Sequence, residues 1–131
     1  QGLSIAKALK MGIAGKVRES LDATLELAPK HAEAHTALAL YHAEIINKIG
    51  AMIGGITYGA KASEADKHIK EALKLTPASP IAHIEHGNVL LLLDEKRNED
   101  AAAAAYETAA GCKPLDAMEA LDAAFAQEQL E

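Results

Sequence analysis

Aromatic residues and cysteine are scarce in this chain. Among 131 residues there are three tyrosines, one phenylalanine and no tryptophan. The single cysteine, Cys112, excludes an intramolecular disulfide and a cluster of thiolate ligands around a metal ion. A core with so few large rings must be built from aliphatic and small side chains, and this favours closely packed helices.

Positive charge and long apolar runs are also lacking. The formal net charge is −6, and no basic tract is interleaved with aromatic residues, so the electrostatic surface typical of a nucleic-acid-binding protein is missing. The most apolar stretch, residues 49–60, contains four glycines and is shorter than the roughly 20 apolar residues of a membrane-spanning helix. We therefore expect no nucleic-acid partner and no membrane span.

Alanine is the main apolar residue, and strand-like alternation of apolar and polar residues is absent. Because alanine has the highest helix propensity, the composition predicts an all-α fold. Start signals at Ser63 (with Asp66), Ser79-Pro80 and Asn98 help to delimit the helices. The predicted helices span residues 3–11, 16–28, 31–46, 63–75, 80–93, 98–111 and 116–129.

Each of three prolines follows a small, a large and a small residue at distances of 12, 8 and 5 positions. The sets are Ala65, Ile69 and Ala72 before Pro77, Ala102, Tyr106 and Ala109 before Pro114, and the weaker copy Val17, Leu21 and Thr24 before Pro29. Small residues let a neighbouring helix approach, the large one fills the gap, and proline stops the helix. We expect the alanines of the first two sets to be buried at helix crossings.

This pattern resembles the tetratricopeptide (TPR) family over residues 16–116, and the small residue ten positions after two of the prolines (Ala39 and Gly87) fits it. The resemblance implies a right-handed α-α superhelix of antiparallel helix hairpins. It divides a single domain into repeats of residues 1–29, 30–77 and 78–114, followed by a C-terminal helix within 115–131. The prolines are 48 and 37 residues apart, against a family period of about 34, so the second repeat carries an insertion at 46–59.

The resemblance also implies where a partner binds, because the first helix of each TPR hairpin lines the concave face of the superhelix. The residues at the corresponding offsets include Thr36, Leu40, Glu44, Ile84, Asn88 and Leu91. Asn88 matches an asparagine with which some family members hold a peptide, but the basic residues of their carboxylate clamp are absent. An alternative is that the C-terminal helix and the insertion fill this groove.

The insertion is unusually apolar for a connection between helices. Met52, Ile53, Ile56 and Tyr58 lie in it, and leaving apolar area in water costs about 25 cal/mol per Å². Two interpretations are open. Either the segment folds back into the core, with Gly54 and Gly55 together making the turn, or it forms a binding site for a partner or ligand.

The six histidines do not predict a metal site. His31, His35 and His42 share a helical stripe, but the stripe lacks a carboxylate or thiolate to complete a coordination shell. His35 and His83 follow their prolines at the same distance, which favours a packing role between helices. No nucleophile–base arrangement or phosphate-binding glycine loop is present either, so we expect no metal, no cofactor and no enzymatic activity.

These observations favour a non-enzymatic binding module that holds a protein or peptide partner in its concave groove and at residues 46–59. The alternative is an accessory solute-binding protein of a transport system, with an apolar cavity lined by 46–59. A second copy of the chain, forming a homodimer, is a further expected partner. The chain starts at Gln1, which suggests a fragment or a processed form. The compartment stays open between cytoplasmic and, after removal of a signal peptide, periplasmic or secreted.

Overall fold

The structure is a computed structural model that describes the backbone of residues 2–112 and the side chains of residues 12, 13 and 15–112. This part forms helices and no strand, so the all-α prediction is confirmed. None of the described helices is both long enough and apolar enough to cross a membrane. The C-terminal helix predicted within 115–131 lies outside the described residues. The helices are α1 (Gly2–Leu27), α2 (Ala32–Ile49), α3 (Ala51–Tyr58), α4 (Ala62–Leu75), α5 (Pro80–Leu93) and α6 (Glu95–Gly111).

The first helix is continuous where the sequence predicted two. Gly12 and Gly15, which fall between the predicted helices 3–11 and 16–28, lie inside α1. An isolated glycine costs a helix about 1 kcal/mol relative to alanine, whereas ending the helix and starting another requires a new, unfavourable nucleation step. A helix that continues through both glycines is therefore the conformation of lower free energy.

Of the three predicted helix starts, one is confirmed and two are wrong. Ser79 caps α5 by accepting a hydrogen bond from the Ala82 backbone N–H, with Pro80 as first helical residue. By contrast, α4 begins ahead of Ser63, at Ala62. The α6 helix begins at Glu95, because the carboxylate of Asp94 caps it. The expected Asn98 cap is thus an internal residue of α6.

The α2 and α4 helices pack antiparallel. Early in α2, the His35 ring lies 2.9 Å from that of His68, in the middle of α4. Later in α2, the His42 ring accepts a hydrogen bond at 3.0 Å from the backbone N–H of Lys61, at the start of α4. The core between them consists of Ala39 and Ala43 from α2 and Ala65 and Ile69 from α4, together with Val89 from α5.

The α5 and α6 helices form a second antiparallel hairpin, with only Asp94 between them. The Asn98 side chain donates a hydrogen bond at 2.9 Å to the carbonyl of Leu90, while the Tyr106 ring lies against Gly87. The core of this hairpin consists of Ile84, Ala102, Tyr106 and Ala109. The predicted burial of the small residues is confirmed at Ala65, Ala72, Ala102 and Ala109.

The two hairpins begin in the same way, 48 residues apart. His31 and Ser79 are the N-cap residues of α2 and α5, and each side chain accepts a hydrogen bond from the backbone N–H three residues later. Four residues after each cap, Nε2 of His35 or His83 donates at 2.8 Å to the proline carbonyl six positions before it. These histidines therefore fix the approach of the chain to each helix, and His35 also contacts His68 of α4.

The segment 46–59 is helical rather than an open loop. Gly50 (φ 87°) ends α2 and Gly59 (φ 66°) ends α3. Both adopt positive φ, which glycine tolerates because it has no Cβ. Gly54 and Gly55 lie inside α3, so the interpretation of the insertion that placed a turn at these two residues is wrong in this respect.

Candidate functional site

A groove runs between α2 and α5. The two helices are parallel, because their starts line the same hollow and Asn47 near the end of α2 donates a hydrogen bond at 3.2 Å to the Leu92 carbonyl near the end of α5. Two adjoining hollows of about 680 and 460 Å³ share Leu40 and Glu85 and make up what we call the α2–α5 groove. Its lining includes Glu33, Thr36, Ala37, Leu40 and Glu44 from α2 and Ile81, Ala82, Glu85, Asn88, Leu91, Leu92 and Glu95 from α5 and the start of α6.

Five of the six residues predicted to line the groove lie on it. They are Thr36, Leu40, Glu44, Asn88 and Leu91. The sixth, Ile84, is a correction: its side chain is only 6% exposed and packs in the core between α5 and α6. Successive residues of a helix differ in direction by about 100°, and at this register Ile84 faces α6 while its neighbour Glu85 faces the groove.

Sequence reasoning missed Glu85 and Glu95. Glu85 had a detectable signal, because Ile81, Glu85 and Asn88 follow the spacing i, i+4, i+7 and thus share one stripe of α5. Glu95 had none, since the sequence placed it in a turn and the structure makes it the first residue of α6.

The groove combines an apolar floor with acidic edges. Leu40, Ile81, Leu91 and Leu92 supply apolar surface, and Ile81 is 46% exposed. Carboxylates of Glu33, Glu44, Glu85 and Glu95 stand along the same length, and among the described residues that line the groove there is no lysine or arginine. The groove therefore offers negative charge beside apolar surface throughout.

The central carboxylate is held by a chain of side-chain hydrogen bonds. The Tyr106 hydroxyl donates to Oδ1 of Asn88, and Nδ2 of Asn88 donates to Oε1 of Glu85 at 2.7 Å. Burial, and secondarily the negative charge of Glu85, raise the pKa of Tyr106, so the hydroxyl stays protonated and able to donate. The core of the second hairpin thus orients Glu85, and Asn88 is already engaged within the protein.

The apolar side chains of the insertion point outward. Met52, Ile53 and Ile56 are 78%, 58% and 82% exposed and form one face of α3, which we call the α3 face. Within the described part of the chain, it is the other side of the helix that packs: Gly54 faces Ile45, and Tyr58 is half-buried. The interpretation that the insertion enlarges the core is therefore wrong for these three residues. Nor does α3 fill the α2–α5 groove, since the helix packs on the side of α2 that carries Tyr41 and Ile45.

The histidines of α2 and α4 are occupied with one another. Since the Pro29 carbonyl can only accept, His35 carries its proton on Nε2 and, in a neutral ring, accepts at Nδ1 from Nδ1–H of His68. Burial, followed by the neighbouring charge of His35, lowers the pKa of His68. Burial, followed by the charge of Arg18, lowers the pKa of His42 to about 4. Within the described residues, no group of three or more His, Cys, Asp or Glu has a geometry that would hold a metal ion.

Comparison of the chain with protein-family models, with curated proteins and with solved structures finds no match.

Proposed function

We propose that this chain is a non-enzymatic, TPR-like binding module that holds a segment of another protein in the α2–α5 groove. The observation that carries the proposal is the groove itself, a channel with an apolar floor between two parallel helices. The isoleucine and leucine side chains of the floor are partly in water. A partner that covers them lowers the free energy by about 25 cal/mol per Å² of apolar area buried. The matching hydrogen bonds at the starts of the two hairpins support the repeat relationship.

The dimensions of the groove suit a short segment. Glu33 and Glu44 are eleven residues apart on α2, and at 1.5 Å per residue this corresponds to about 16 Å. About three turns of a helix, or about five residues of an extended strand, match that length. Both are common ways for a peptide to be recognised in a groove.

The α3 face is the second contact surface that we propose for the partner. Its exposed side chains favour this role over the lining of an apolar cavity for a small solute, because they project into solvent.

Self-association stays a prediction. It is consistent with the exposure of Ile13 and Val17 on α1, which are 62% and 48% exposed.

A peptide-display experiment tests the groove. A random library of 12-residue peptides is panned on the wild-type chain, enriched peptides are synthesised, and their affinities are measured by fluorescence polarisation. The groove variant combines Ile81→Ser, which removes exposed floor, with Ala37→Gln, which fills the hollow with a longer neutral side chain. We expect at least fivefold weaker binding, since about 1 kcal/mol of apolar contact corresponds to roughly that factor.

The matched control is Ile13→Ser, an exposed isoleucine on α1 away from the groove lining. It should bind the peptides as the wild type does, and circular dichroism should show that all the variants are folded. The proposal fails if no peptide is enriched or if the groove variant binds the enriched peptides with unchanged affinity.

A further inference from the structure

We propose that the segment held in the α2–α5 groove is cationic and amphipathic, with lysine or arginine beside its apolar side chains. This inference rests on the proposed function and specifies the chemistry of the partner. It starts from the charges of the groove: Glu33, Glu44, Glu85 and Glu95 line the channel, and no lysine or arginine does so among the described residues.

Within the described residues, the four groove carboxylates make none of the ion pairs that three acidic residues elsewhere make. On α4, Glu64 and Asp66 pair with Lys67 and Lys70, and on α1 Asp22 pairs with Arg18. No such pair within 4.0 Å involves a groove carboxylate in the part of the chain that the structure describes. Their charges are therefore available to a cationic partner, and bringing an acidic segment into the same channel would be repulsive.

Glu85 is the best placed of the four to bind a cation. It is half-buried at the point where the two hollows of the groove join, and Asn88 holds its Oε1 at 2.7 Å. The hydrogen bond from Tyr106 to Asn88 holds this amide in turn. A carboxylate oriented in advance loses less side-chain freedom on binding, and partial burial reduces the screening of its charge. We therefore expect Glu85 to contribute more than the exposed Glu33, Glu44 or Glu95.

The apolar floor determines the second chemical feature of the partner, namely its apolar side chains. Leu40, Ile81 and Leu91 lie between the carboxylates, so a purely basic segment would leave this surface uncovered. A segment that alternates apolar and basic residues at helical or strand spacing satisfies both features at once. Charge complementarity along the channel thus selects a cationic, amphipathic protein segment.

The peptide-display experiment above also tests this inference. We expect enriched peptides to contain more Lys and Arg than Asp and Glu, together with Leu, Ile or Phe. Their affinities are then measured against a carboxylate variant with Glu33, Glu44, Glu85 and Glu95 changed to Gln. Since each exposed ion pair corresponds to a factor of roughly 1.4 to 5, we expect the loss of four such pairs to weaken binding by at least roughly fourfold.

Two controls separate specific pairing from general attraction to an acidic protein. A charge-matched variant changes Glu19, Glu26 and Glu107 to Gln and Asp100 to Asn, all exposed residues that do not line the groove. It should retain wild-type affinity. Raising NaCl from about 0.1 to 1 M shortens the screening length from about 10 to 3 Å and should weaken the wild type more than the carboxylate variant. Glu85→Gln alone should weaken binding more than Glu44→Gln.

The outcomes distinguish the two proposals. Neutral or acidic peptides that bind the wild type, lose affinity in the groove variant and are insensitive to the carboxylate variant would overturn the cationic partner while leaving the groove as a binding site. Equal weakening by the charge-matched variant would reduce the effect to net charge and also overturn it. Peptides unaffected by the groove variant would overturn both proposals.

Discussion

Gly87→Ala tests a close contact between α5 and α6. A Cβ atom added at Gly87 would lie 2.6 Å from Cε1, 2.8 Å from Cζ and 3.0 Å from Cδ1 of Tyr106. The ring cannot move aside easily, because it is 6% exposed and its hydroxyl is hydrogen-bonded to Asn88. The substitution therefore requires α5 and α6 to separate locally or Tyr106 to leave its rotamer.

Two effects of opposite sign set the magnitude. Alanine is favoured over glycine inside a helix by about 1 kcal/mol. Overpacking a filled contact costs typically about 1–3 kcal/mol, and overlap with a fixed aromatic ring places this case toward the upper end. We expect a net loss of about 1–2 kcal/mol in the free energy of unfolding, which lowers the melting temperature by roughly 4–8 °C.

The assay is urea and thermal unfolding followed by circular dichroism at 222 nm. Gly12→Ala is the matched control, since no atom outside the local helix lies within 4 Å of the added Cβ, and it should stabilise α1 by up to about 1 kcal/mol. In a Tyr106→Leu background the ring is gone, so Gly87→Ala should become neutral or stabilising, with a coupling energy of at least about 1 kcal/mol. If Gly87→Ala stabilises the wild type as Gly12→Ala does, the proposed contact is wrong.

Two further predictions concern His42 and the α3 face. Because burial lowers the pKa of His42 from 6.5 to about 4, the unfolded chain binds the proton first, so stability should be fully present above about pH 6.5 and fall by up to about 3 kcal/mol as the pH approaches 4. His42→Asn keeps an acceptor for the Lys61 N–H and should flatten this part of the urea-unfolding profile; parallel profiles for the two proteins would contradict the assignment. Replacing Ile53 and Ile56 together with Ser should change stability by less than about 1 kcal/mol, because both side chains are exposed, while weakening capture of a partner that covers α3. A stability loss of about 2–5 kcal/mol would instead mean that these side chains are part of the core.

The sequence predicted the helix content and the main crossings because both depend on local signals. Proline cannot continue a helix beyond its first turn, and buried alanines such as Ala72 and Ala109 are readable from their spacing before a helix-ending proline. Exact helix starts depend on competition between nearby caps and on contacts distant in sequence. Ser63 did not start α4, because the backbone N–H of Lys61 donates to the His42 ring and the helix begins immediately after it.

The candidate site was partly predictable for a related reason. Fixed offsets on α2 identified Thr36, Leu40 and Glu44, where one helix face is turned to the groove throughout. On α5 an error of one residue changes the expected direction of a side chain by about 100°. The sequence therefore pointed to Ile84, whereas Glu85 lines the groove. This difference decides the electrostatic character of the groove, because Glu85 is its central carboxylate.

The insertion shows why the α3 face is a surface to be covered rather than a collapsed loop. Arg18 donates a hydrogen bond at 2.6 Å to the Tyr58 carbonyl, and the Tyr41 hydroxyl donates to the same oxygen at 3.2 Å. These bonds satisfy a carbonyl at the C-terminal end of α3 that the helix itself leaves without a partner, and they fix the helix against α1 and α2. The second hairpin closes with Asp94 alone, so α3 is not needed to join two helices. A helix held at its end by partly buried polar contacts, with Met52 and Ile56 about four-fifths exposed, keeps apolar surface in water at a cost that a contacting molecule would remove. We therefore expect the partner of the groove to extend over this face, or a separate partner to occupy it.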